Sequence, residues 1–401
     1  MKNIIYCFLF LLVTFCNYAQ DAPLLRTGII NDSVKVVNAP NESYAIYFPK
    51  EYDAQIPSAV VFIFDPDARA KIAIEPFILA AETYNYILVC SNNVKNGLVQ
   101  NNVATANRLF DHVLGMYNIN MSQLYISGFS GGARLASFYG ISSGFFQGVI
   151  ACGASFNDLD KFIPPSNKFS YVGMVGDKDM NYQEMVANKT WLDNAKITNT
   201  LFISHEDHIW PKQNEMLRAF DWLEIQAYKK NIRPKNDTII KRIYDNNLKI
   251  ADSLRLNKEM ISSVRNYENC ITSFNINDDS FIRTKIAEIK KSREYKEEVA
   301  RMDEITVLEG EILDKLSLKF YKELELAKSS NNFKFWKTEF KNLDTMKLSK
   351  EVSTQNMANR ILVWFHILVY EAAEENKRTQ QKDKVTYCDE LLKMISETNP
   401  K

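Results

Sequence analysis

Glycine and proline are spread so unevenly along the 401 residues that a single uniform architecture is excluded. Twelve of the 13 glycines lie at or before Gly176, and no proline falls between Pro234 and Pro400. Asp, Glu, Lys and Arg make up 37 of the first 225 residues and 61 of the last 176. Losing turn formers while gaining charge marks long helices with solvated faces. The seam is expected within 229–236, closed by Pro234, which predicts two domains over 20–228 and 236–401.

The earlier part alternates short apolar runs at 43–48, 59–64, 86–90, 123–127, 148–152, 171–175 and 201–204 with helical patterns at 72–84, 104–117, 132–139 and 182–194. Several runs are continuously apolar, as strands covered on both faces are. This predicts an α/β sandwich around a mostly parallel sheet. The later part reads as all-α. Ile240, Ile243, Tyr244, Leu248, Ala251 and Leu254 keep helical steps, as do Ile312, Leu316, Phe320 and Leu324. Asp237 is expected to cap the first of these helices. No strict period is found, so a tetratricopeptide-like repeat stays an open alternative. Phe333, Phe335, Trp336 and Phe340 are expected in the core of this part.

At the N-terminus, Lys2, an apolar run over 4–15 and Ala19-Gln20 have the layout of a signal peptide, with cleavage expected after residue 19. The run is shorter than the roughly 20 residues of a membrane span. Acylation at Cys16 is disfavoured by the bulky Thr14-Phe15 before it. A later apolar stretch, 361–370, contains His366 and reads as a buried helix. The chain is thus expected to be exported, periplasmic or extracellular, with no membrane span.

The 49 basic and 49 acidic residues cancel, so the excess positive charge usual in nucleic-acid binders is absent. No Cys-x-x-Cys pair occurs and there are four histidines in all, so no metal or organic cofactor is expected.

Gly128-Phe129-Ser130-Gly131-Gly132 follows the strand-like 123–127 and precedes a helical run. Gly-x-Ser-x-Gly in that setting is a nucleophile elbow, a sharp turn that lifts the hydroxyl above the sheet. A serine nucleophile needs a base, and His205 and His208 lie just after the last strand-like run. His112 and His366 fall inside helical patterns and are expected to be structural. The base needs a carboxylate, and Asp177 and Asp179 follow the run 171–175; Asp179 is preferred. Their position gives the order Ser, Asp, His. For the oxyanion, the backbone amide of Gly131 is one expected donor and that of Asp67, after the run 59–64, the other. Phe129, Phe138, Tyr139, Phe145 and Phe146 are candidates for an apolar pocket.

These residues resemble the α/β-hydrolase fold, and within it the secreted esterases grouped with polyhydroxybutyrate depolymerases and feruloyl esterases. The resemblance covers roughly 40–225. That family often has His-x-Trp-Pro at its catalytic histidine, matching His208-Ile209-Trp210-Pro211, and its acid in a Gly-x-x-Asp turn, matching Gly176 to Asp179. The resemblance therefore selects His208 and supports Asp179. It departs where Asp65-Pro66-Asp67 replaces the usual glycine-bearing oxyanion loop. The expected function is a serine hydrolase acting on small or polymeric carboxylic esters. Rival readings are a serine peptidase, and a non-catalytic protein whose helical domain binds a protein partner. A helical domain that covers the site and selects substrates is a third.

Overall fold

The computed structural model describes residues 25–156, 168–274, 279–327 and 333–398; the expected signal peptide, with Cys16, lies outside the described residues. The strands are β1 (Ile30–Val36), β2 (Ala39–Tyr47), β3 (Ser58–Phe64), β4 (Tyr86–Ser91), β5 (Ile119–Phe129), β6 (Gly148–Cys152), β7 (Ser170–Gly176) and β8 (Thr198–Ser204). They form one sheet in the order β1-β2-β4-β3-β5-β6-β7-β8. The β1·β2 and β2·β4 pairs are antiparallel, and every pair from β4 to β8 is parallel. This is the α/β-hydrolase sheet.

All seven residues of β3 are buried, and their alternation shows why the run is apolar throughout. Val60, Phe62 and Phe64 enter the core on one face, while Ala59, Val61 and Ile63 enter the core on the other. The helices of this half are α1 (Ala70–Ile74), α2 (Ile78–Tyr84), α3 (Val99–Met116), α4 (Gly131–Ser142), α5 (Tyr182–Asn194) and α6 (Gln213–Lys229). Two elements have no counterpart in the sequence reading. One is β1, an edge strand with few buried positions. The other is α6, whose buried face carries Asp221, Glu224 and Gln226. Arg242 and Arg233 neutralise Asp221 and Glu224, and Tyr86 donates to Glu224 at 2.7 Å.

After residue 236 the described elements are helices: α7 (Asp237–Leu256), α8 (Met260–Ser273), α9 (Ser280–Lys291), α10 (Arg293–Glu325), α11 (Lys334–Lys347), α12 (Val352–Arg378) and α13 (Lys382–Thr398). The cap of α7 is Asn236, not Asp237: its side chain accepts from the Ile239 amide at 3.1 Å. Helix lengths from 12 to 33 residues give no fixed repeat among the described residues. Leu316, Phe320, Trp336 and Phe365 form the core here, with Trp336 stacked 4.9 Å from Phe365. Ile361, Leu362 and Phe365 are buried but His366 and Tyr370 are exposed, so α12 buries one stripe rather than its whole surface. Among the described residues no helix is long and apolar enough to cross a membrane.

Candidate active site

Strand β5 runs straight into α4 through Ser130, whose φ of 51° is a conformation that side chains rarely adopt. The turn is this tight because Gly128 and Gly132 lie back to back: a Cβ on Gly128 would sit 2.2 Å from the Gly132 carbonyl. A Cβ on Gly132 would in turn meet the Phe64 carbonyl of β3 at 2.1 Å. The Ser130 amide is fixed by the Cys152 carbonyl at 2.8 Å, leaving its hydroxyl at the carboxyl end of the sheet.

His208, on the loop after β8, approaches with Nε2 3.0 Å from Ser130 Oγ. Its Nδ1 lies 2.9 Å from Asp179 Oδ1, but off the line of the ring N–H, so the contact is not an aligned hydrogen bond. Such contacts commonly straighten only when substrate is bound. Asp179 is buried on the turn after β7 and also accepts the Asn181 amide at 2.8 Å. Room for the Asp179 and His208 side chains comes from Gly153, which follows β6. Any Cβ there would meet Phe129 at 2.7 Å, and Asp179 and His208 at 3.1 Å.

The other candidates separate into distinct roles. Asp177 pairs with His205 at 2.7 Å, and the second nitrogen of His205 lies 3.1 Å from Glu259 at the start of α8. Arg360 of α12 donates to the Asp177 carbonyl at 2.6 Å while paired with Glu309 in a buried ion pair. Two residues before Asp179, the acid turn is thereby bonded to the helical half. His112, on α3, lies 3.0 Å from the hydroxyl of Tyr44 on β2, and burial lowers its basicity.

Asp67 does not match its expected role. Its amide already donates to Asp65 Oδ1 at 2.9 Å, turning inward to its own loop. Asp65, which the sequence left without a role, is the centre of that loop. It is fully buried, accepts two bonds from the Arg69 guanidinium at 2.9 and 3.0 Å, and takes the Trp210 indole N–H at 2.9 Å. Burial alone would raise its pKa, but these donors outweigh it and hold the carboxyl below the usual range. Trp210 also packs 5.3 Å from Phe129, and Phe129 lies 4.6 Å from the His208 ring. The His-x-Trp-Pro run is thus moored through its tryptophan to the loop after β3. Beside Gly131, the side-chain amide of Asn96 occupies the space that a Cβ would need, with its oxygen 1.9 Å from that position. Sequence gave no signal for Asn96 or Gly153.

An open pocket of about 350 Å³ adjoins Gly131 and is lined by Asn96, Arg134, Leu135, Phe138, Phe156 and Trp191. Of the candidate aromatics, Phe138 lines it and Phe129 packs on His208, while Tyr139 and Phe146 belong to the core. Among the described residues no group of three or more His, Cys, Asp or Glu is placed to hold a metal.

Sheet order and the strand–elbow–helix passage define an α/β-hydrolase fold. No family model matches the sequence, and no curated protein matches it. Solved structures similar to it include an S-formylglutathione hydrolase from Staphylococcus aureus, 14% identical over 49% of this chain and 95% of that one, at a TM-score of 0.40. A fluorophosphonate-binding serine hydrolase of the same organism is 12% identical over 49% and 97%, also at 0.40. The feruloyl esterase module from Clostridium thermocellum is 12% identical over 49% and 86%, at 0.38.

Proposed function

We propose that this chain is an exported serine hydrolase that cleaves carboxylic esters, with Ser130 as nucleophile, His208 as base and Asp179 as the carboxylate that orients it. The observation that carries this reading is the 3.0 Å contact of His208 Nε2 with a hydroxyl on a strained elbow. Ser130 Oγ attacks the ester carbonyl carbon as its proton passes to His208 Nε2. The resulting oxyanion is held by the Gly131 amide, with the Asn96 side-chain amide, turned to present its N–H groups, as second donor. The C–O bond to the alcohol breaks, and His208 returns the proton to the leaving oxygen. Water then attacks the acyl carbon, gives its proton to His208, and Ser130 leaves with that proton. The apolar wall of Leu135, Phe138 and Trp191 suits an acyl group of modest size. In the same reading residues 1–19 direct export, 20–228 carry the chemistry and 236–401 form the helical domain.

The test is covalent labelling of the folded protein with a fluorophosphonate probe. The expected result is one label, on Ser130, abolished by Ser130→Ala. Folded wild-type protein that takes up no label, and hydrolyses no short acyl ester, would make it a binding protein instead.

A further inference from the structure

Arg218 of α6 is half-buried and in no direct ion pair, although Glu215 and Asp221 are near enough to act on its charge. Its Nε is shielded from solvent and has no hydrogen-bond acceptor. One terminal nitrogen donates to Asn266 at 2.8 Å, and the guanidinium lies 4.5 Å over the Phe202 ring. Burial lowers its basicity from the ordinary arginine value. A buried N–H with no acceptor is costly, and an orphaned buried donor needs a reason.

Arg218 lines a cavity of about 410 Å³ between the carboxyl end of β8 and helices α7, α8, α10 and α12. The carboxylates around it already have partners. Glu351 pairs with Arg301, and Glu298 accepts the amides of Met260 and Ile261 at 2.7 and 3.2 Å. Asp177 and Glu259 share His205, and Arg360 is matched by Glu309. The remaining cations are in no direct ion pair among the described residues: Arg218, Arg265 and the exposed Lys258 and Lys350. Leu201, Ile203, Met302 and Ile305 give the space an apolar wall.

We propose that this cavity is a binding site for a small organic anion, a carboxylate or phosphate group on a compact apolar body. Arg218 and Arg265 grip the anion, and the apolar wall takes the body. Two guanidiniums around one oxyanion form the strongest class of polar contact, and the volume is within the range of small-molecule pockets. The site is separate from Ser130, so it stands whether or not the chain hydrolyses esters.

The experiment is calorimetric titration of the full chain with phenylacetate, phenyl phosphate and uncharged phenylacetamide at low salt. One anion at least should bind saturably at one site, with phenylacetamide about tenfold weaker or worse. Preference for phenylacetate or for phenyl phosphate then identifies the head group, and either supports the site. Arg218→Gln and Arg265→Gln should each weaken anion binding about tenfold. Should Arg218→Gln fail to fold, Arg265→Gln decides on its own. No saturable binding of either anion, or binding unchanged in the folded variants, would overturn the proposal.

Discussion

Two Asp–His pairs lie on the same two loops, and they are built for opposite ends. Asp179–His208 and Asp177–His205 have similar contacts, 2.9 and 2.7 Å. The side chain of His208 is 17% exposed and that of His205 is 69% exposed. The third partner differs as well. His208 meets the hydroxyl of Ser130, whereas His205 meets a second carboxylate, Glu259. A carboxylate, an imidazole and a hydroxyl can pass a proton along; an imidazole between two carboxylates keeps it. The hydrogen bond to Asp177, with the nearby charges of Asp177 and Glu259, raises the pKa of His205 accordingly. Side-chain identity and loop position are shared by the two pairs, so burial and the third partner set their chemistry.

The sharpest way to break this contrast is to remove each ring in turn. His208→Ala should lower kcat for a short acyl ester by about 10⁶-fold, and His205→Ala should leave it nearly unchanged. Equal losses would abolish the distinction. Next, Asp179→Asn should cost about 10⁴-fold in kcat by favouring the wrong tautomer. Asp177→Asn, on the loop that Arg360 steadies, should cost far less in the same assay. A smaller effect is expected in stability. Arg360→Met strands Glu309 inside the protein and should lower the unfolding free energy by about 3 kcal/mol in urea titrations. A change near zero would mean that water reaches the pair.

The smallest effect concerns pH. Because the folded pKa of His205 is raised, its contribution is complete below the unfolded value near 6.5 and disappears as pH rises through the folded value. Its exposure limits the contribution to about 0.5 kcal/mol. Comparing wild type with His205→Gln by denaturation between about pH 5 and 9 should show a difference that shrinks as pH rises. A difference that grows would place the proton elsewhere.

What the sequence disclosed follows the same physics. Runs such as 59–64 were legible because both faces are covered, which leaves no polar position to confuse the pattern. Helix α6 was hidden for the converse reason: Asp221, Glu224 and Gln226 look like surface residues until Arg242, Arg233 and Tyr86 arrive in space. Proximity to strand ends brought Ser130, Asp177, Asp179, His205 and His208 forward as candidates, but it could not separate the two aspartates or the two histidines; the resemblance made that choice. Gly153 matters through the side chain it lacks and Asn96 through the space it fills beside Gly131, and neither shows in local sequence pattern. Asp67 was misjudged because its amide is consumed by Asp65, a side chain whose other anchor, Trp210, is 145 residues away.

The bond from Arg360 to the Asp177 carbonyl spans 183 positions of chain. During synthesis, serine, aspartate and histidine have all emerged while the donor that steadies the acid turn does not yet exist. Final assembly of that turn therefore waits for α12 to be made and to fold back.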